Sequence, residues 1–103
     1  MATFTFSPRS IIITGASRGL GRALAMHLAQ CGHTIIACAR NADELNSLQH
    51  LYPQQIIPYV LDLQDNQAII QFGTWLATHY PQTQVLINNA GLGAYKPLLE
   101  NTL

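Results

Sequence analysis

The chain has 103 residues, enough for one small domain. Its 5 Lys+Arg balance 5 Asp+Glu, and this zero formal net charge excludes a strongly basic nucleic-acid binder and a polyacidic tail protein. Hydrophobic residues make up 49% and charged residues only 10%, against roughly 25% charged in typical soluble domains. Such a chain folds around a core, and its scarcity of charge points to a sizeable face covered by something else. No apolar run approaches the roughly 20 residues that span a bilayer. Met1 to Ser10 lacks a basic segment followed by a long apolar stretch, so neither a secretory leader nor a membrane partner is expected, and the expected location is cytoplasmic. The two cysteines, Cys31 and Cys38, match no redox or zinc spacing and are expected as buried thiols in a reducing compartment.

Strand and helix patterns alternate without repeats or linkers. Residues 10–14 are Ser-Ile-Ile-Ile-Thr, an uninterrupted β-branched run suited to a strand buried on both faces. A glycine-rich turn follows from Gly15 to Gly21. Leu20, Leu24, Leu28 and Cys31 then recur at helical spacing, with Ala23 and His27 alongside, and Gly32 is placed to stop that helix. Residues 34–38 read as a second buried strand. Asn41 with Glu44 forms a capping-box pattern that opens a short helix carrying Leu45 and Leu48, and Pro53 marks the loop after it.

Residues 56–61 read as a third strand. Pro58 has no N–H to give to a ladder, so this strand belongs at a sheet edge. Asp65 is placed to cap a helix carrying Ile69, Phe72, Leu76 and Tyr80, with Phe72 and Trp75 in a core or interface, and Pro81 ends it. Residues 84–88 form a fourth strand running into Asn89-Ala90-Gly91. Strands separated by helices imply right-handed crossovers and a parallel sheet. The order 3-2-1-4 puts the proline-bearing strand at one edge and strand 84–88 at the other, an uncovered apolar edge open to self-association.

The sequence Thr14-Gly15-Ala16-Ser17-Arg18-Gly19-Leu20-Gly21 stands between a predicted strand and a predicted helix. Gly15 permits the tight turn, Gly19 lets a pyrophosphate approach the backbone, and Gly21 lets the helix pack close to the sheet. The helix N-terminus offers unpaired N–H donors and a partial positive charge to phosphates. Asp62 follows the third strand, and Asn88-Asn89-Ala90-Gly91 closes the fourth. These three ordered motifs resemble those of the classical short-chain dehydrogenase/reductase family, over nearly the whole chain.

The resemblance implies a Rossmann-like, doubly wound α/β sheet, incomplete here at four strands, and a nicotinamide dinucleotide as cofactor. It places Gly15, Ser17, Gly19, Leu20 and Gly21 around the cofactor diphosphate. Asp62 matches the acid that bonds the adenine amino group, with Leu63 beside the ring. Asn89, Ala90 and Gly91 match the segment by the nicotinamide-side ribose, which also braces the central sheet. A member that uses NAD usually ends its second strand with an acid; here that place holds Ala39-Arg40. Arg40, with Arg18 as a second clamp, suits a 2′-phosphate, so NADP(H) is expected over NAD(H).

The family's catalytic groups are a Ser and a Tyr-x-x-x-Lys pair, and the resemblance puts them beyond this stretch. Tyr95 and Lys96 are adjacent and are not that pair; residues 92–99 resemble the loop after the asparagine motif. The four histidines have no metal-ligand spacing. Two expectations follow. Either the chain is the N-terminal, cofactor-binding part (1–103) of an NADP(H)-dependent oxidoreductase acting on a small carbonyl or alcohol substrate, or it is a non-catalytic nucleotide-binding module, or inactive truncated product.

Overall fold

Every run of β-branched residues singled out above becomes a strand. The computed structural model describes residues 8–89; Ala90, Gly91 and the 92–99 segment lie outside them. In chain order the elements are β1 (Ser10–Thr14), α1 (Gly19–Gln30), β2 (Thr34–Ala39), α2 (Ala42–Leu51), β3 (Ile56–Val60), α3 (Asn66–His79) and β4 (Val85–Asn88). The strands form one parallel sheet in the order β3-β2-β1-β4. Ile12 of β1 pairs with Ile36 on one side and Leu86 on the other. Pro58 lies opposite Ala37 on the outer strand β3, where its missing N–H faces no ladder.

Alternation along the strands divides the core into two layers. Ile11, Ile13, Ile35, Ala37 and Ile56 face α1 and α2, where Leu45 and Leu48 are fully buried. Ile12, Ile36 and Cys38 face α3, whose Phe72 seals that layer. Tyr59, Phe72 and Trp75 form an aromatic cluster there, with centroids 4.6 Å apart for Tyr59–Phe72 and 4.7 Å for Tyr59–Trp75. This cluster lies over the β3 side of the sheet. Leu86, which also points to the α3 layer, is 62% exposed on the outer strand β4.

Local signals set the helix ends. Asn41 Oδ1 accepts the Glu44 N–H at 3.0 Å, and Asp65 Oδ1 accepts the Ala68 N–H at 3.2 Å. Gly32, at φ 92°, closes α1. Its N–H reaches the Ala29 carbonyl while that of His33 reaches Leu28, the paired bonds of a Schellman motif.

Two expectations are corrected. The sequence puts Leu20, Leu24 and Leu28 at helical spacing, an apolar stripe of the kind that faces a core. Gly21, Ala25 and Ala29 are the buried residues instead; Leu24 and Leu28 flank them and Leu20 is 58% exposed. The helix lies close to the sheet, so its smallest side chains take the contact line, with Leu24 and Leu28 along one side of it and Met26 along the other. The second correction concerns the thiols. Cys38 is buried in β2, but Cys31 caps the C-terminus of α1 and is exposed.

Burial pushes the Cys38 thiol up to about 12. The folded state then holds a proton that the unfolded chain releases near its ordinary value of 9.0, so Cys38 lowers stability as pH rises from 9.0 towards 12 and has no such effect below. At pH 8 the native chain should take up one equivalent of a thiol reagent, at Cys31, and two after denaturation. Two fast equivalents in the native state would contradict the buried placement of Cys38.

Candidate functional site

The carboxyl ends of the four strands are tied together in sheet order. Asn89 Nδ2 donates to the Gly15 carbonyl at 3.1 Å, and Thr14 Oγ1 donates to Asn88 Oδ1 at 2.9 Å, joining β4 to β1. The Ala16 N–H donates to the Cys38 carbonyl at 3.1 Å, joining the turn after β1 to the end of β2. The Leu61 N–H donates to the Ala39 carbonyl at 2.8 Å, joining β2 to the segment after β3. One end of the sheet thus carries a continuous floor from Asn89 through Gly15 and Arg40 to Asp62. Neighbouring crossovers diverge at β1, with α1 packing on one face and α3 on the other, and this is where open parallel sheets form a crevice.

The glycine turn has two different requirements. Gly15 and Gly19 have φ of 65° and 64°, the left-handed region that glycine enters without a Cβ penalty. At Gly19 a Cβ would meet nothing within 4 Å, so the backbone faces open space. Gly21 is the opposite: a Cβ would strike the Gly15 carbonyl oxygen and Asn89 Nδ2 and lie 2.8 Å from the Gly15 carbonyl carbon. Gly21 therefore sets how closely α1 and the end of β4 close on the turn.

Arg18 occupies the N-cap of α1 and makes no side-chain capping bond, and no acid stands in the first turn. α2 and α3, by contrast, are capped by Asn41 and Asp65. The first amides of α1 are left for an external acceptor beside the open face of Gly19. Arg18 and Arg40 are both exposed and make no hydrogen bond or ion pair with another described residue. The Ala16–Cys38 bond places each of them two residues beyond the same tie, on neighbouring segments.

Asp62 is exposed, and its Oδ1 accepts the Gln64 N–H at 2.9 Å, which fixes the carboxylate in a local turn. Leu63 beside it is 38% exposed. Ser17 is nearly buried, with its carbonyl turned to Arg22. Asn89 Oδ1 is buried and has no hydrogen-bond partner among the described residues. The site residues expected at Gly15, Ser17, Arg18, Gly19, Leu20, Gly21, Arg40, Asp62, Leu63 and Asn89 all lie along this one end of the sheet; Ala90 and Gly91 fall outside the described residues. Among the described residues no group of three or more His, Cys, Asp or Glu is placed to hold a metal ion, and no helix is long and apolar enough to cross a membrane.

Arg22 was not legible as part of this end. It is half-buried, bonded to Ser17, Glu44 and Ser47. The available signal was negative: an arginine in a first helical turn with no acid three or four residues away must find its acceptors on another segment.

The short chain dehydrogenase family profile matches residues 9–103. The chain belongs to that family. It is 38% identical over 96 residues to dehydrogenase/reductase SDR family member 11 of Gallus gallus, covering 88% of this chain and 38% of that protein. It is 36% identical over 85 residues to the NADPH-dependent pterin aldehyde reductase of Arabidopsis thaliana, covering 81% of this chain and 35% of that one. Among solved structures, a short-chain dehydrogenase from Streptomyces avermitilis superposes with a TM-score of 0.74 at 31% identity, covering 81% of this chain and 30% of that chain. This short-chain dehydrogenase chain thus spans less than two fifths of the length of these relatives. Its four parallel strands in 3-2-1-4 order are the part of the Rossmann-like fold that binds a nicotinamide dinucleotide in the family.

Proposed function

We propose that these residues are the N-terminal, cofactor-binding part of an NADP(H)-dependent oxidoreductase that interconverts a small carbonyl compound and an alcohol. The observation that carries the cofactor preference is the end of β2, where exposed Arg40 stands in place of an acid, beside the equally uncommitted Arg18. An acid there accepts bonds from the ribose hydroxyls and repels a 2′-phosphate; two guanidinium groups attract it.

The residues present fit the group. The open face of Gly19 leaves room for a diphosphate, and the uncapped amides of α1 are donors aimed at it, with Gly15, Ser17, Leu20 and Gly21 shaping the turn. With Oδ1 held by Gln64, Asp62 presents its remaining oxygen to an adenine amino group, and exposed Leu63 offers an apolar surface to the ring. Asn89, followed by Ala90 and Gly91, reaches the crevice beside β1, where the nicotinamide-side ribose would lie. When bound, the cofactor supplies the hydride. The chain has no Tyr-x-x-x-Lys, so the proton transfer that accompanies the hydride is assigned to the whole protein and not to these residues alone.

The test is the intact mass of the protein as its own cell makes it, followed by titration with NADPH and NADH and an assay of NADPH-dependent carbonyl reduction. The expected results are a mass above that of the 103 residues, tighter binding of NADPH, and reduction of a carbonyl. Equal affinity for the two cofactors would overturn the preference. A product of this length that binds NADPH without turnover would leave a nucleotide-binding module in place of the enzyme.

A further inference from the structure

Three arginines stand around the turn after β1, but they are used differently. Arg18 and Arg40 are exposed and uncommitted, whereas Arg22 is half-buried with its guanidinium spent on the protein. Its Nη1 donates to the Ser17 carbonyl at 3.3 Å and to the Glu44 carbonyl at 3.2 Å, and its Nη2 donates to Ser47 Oγ at 3.2 Å. One planar group therefore joins three segments: the glycine turn, the first turn of α1, and the start of α2.

The ends of that bridge are the places that matter. Ser17 immediately precedes Arg18. Glu44 lies in the first turn of α2, and Arg40 sits just before the Asn41 that caps the same helix. Ala16–Cys38 ties the two backbones at the level of the sheet, and Arg22 ties them again above it. The separation between Arg18 and Arg40 is therefore set from below by main chain and from above by a guanidinium.

We propose that Arg22 is a positioning residue that sets the width of the cleft between Arg18 and Arg40, and so the discrimination between a cofactor with a 2′-phosphate and one without. This rests on the cofactor reading given above. The fork geometry is essential to it. A guanidinium presents several N–H donors in fixed directions and meets two carbonyls and a hydroxyl together; an ammonium is a point donor on a flexible stem and cannot hold all three. Charge alone, by contrast, would be preserved by lysine.

The experiment is titration of NADPH and NADH into the wild-type chain, Arg22→Lys and Arg22→Met, with thermal unfolding of each. The expected result is a fall of about tenfold in the NADPH-over-NADH affinity ratio in both variants, the scale of one lost charge-assisted hydrogen bond. NADH affinity should stay within a factor of about two, since the Gly19 face and the α1 amides are untouched. Four results would overturn the proposal. A wild-type ratio in Arg22→Lys would assign the effect to charge and not to geometry. Equal weakening of NADPH and NADH, in step with a lower unfolding temperature, would make the role merely structural. An unchanged ratio in both variants, with a wild type that prefers NADPH, would remove Arg22 while leaving the cofactor reading standing. A wild type with no preference would remove that reading and this proposal with it.

Discussion

Gly21→Ala should destabilise the chain by about 3 kcal/mol, at the upper end of what one added methyl does in a packed interior. The new Cβ would strike the Gly15 carbonyl oxygen and Asn89 Nδ2, and neither can yield cheaply. The first is backbone in the turn; the second holds that same carbonyl at 3.1 Å. Moving α1 away instead would open the layer built on Ala25 and Ala29. Against a total stability of about 5–15 kcal/mol the loss is large, and the midpoint of urea unfolding measures it. Gly19→Ala is the informative contrast. No atom lies near its Cβ, so only the left-handed backbone opposes it, at about 1–2 kcal/mol. Its methyl would occupy the space proposed for the diphosphate, so nucleotide binding should fall further than stability does. An unaltered midpoint for Gly21→Ala would mean that the turn has slack the structure does not contain.

Arg40→Asp should invert the cofactor preference. NADPH affinity should fall by about 10- to 100-fold, the range for losing hydrogen bonds to a charged partner and placing a like charge in its stead. NADH affinity should rise, because the new carboxylate accepts bonds from the ribose hydroxyls. Arg40 is exposed and bonds to no other described residue, so the unfolding midpoint should hardly move. NADPH binding by the wild type should also weaken with added salt more steeply than NADH binding. Titrations of both cofactors at two ionic strengths check all of this; an unaltered ratio in the variant would sink the assignment of Arg40.

Much of the fold was legible because its signals are local. Ile11–Ile13 and Ile35–Ile36 announce strands buried on both sides, Asn41 and Asp65 announce helix starts, and Pro58 alone sends β3 to the edge. The buried face of α1 was not legible in the same way. Leucine spacing marks an apolar stripe, but how near a helix sits to a sheet decides whether leucines or glycine and alanine occupy the contact line, and that distance is a property of the packed layers. Cys31 failed for a related reason: its apolar side chain fits a core, yet the helix simply ends there. In the site, Gly15, Gly19 and Gly21 could be picked out together by spacing, but their opposite demands, open space at one and collision at another, depend on Asn89 arriving from 68 positions beyond Gly21. Arg22 depends likewise on α2.

From β1 to β3 the floor across the strand ends is closed by main-chain atoms, Ala16 to Cys38 and Leu61 to Ala39, and only the ties to β4 run through the side chains of Asn88 and Asn89. Bonds between peptide groups survive almost any exchange of the side chains attached to them. Arg18, Arg40 and Leu63 stand on that floor without holding it together. Under the cofactor reading proposed above, mutation can sample one dinucleotide after another at the rim while the frame beneath keeps its shape, which would separate the evolution of cofactor choice from the evolution of stability.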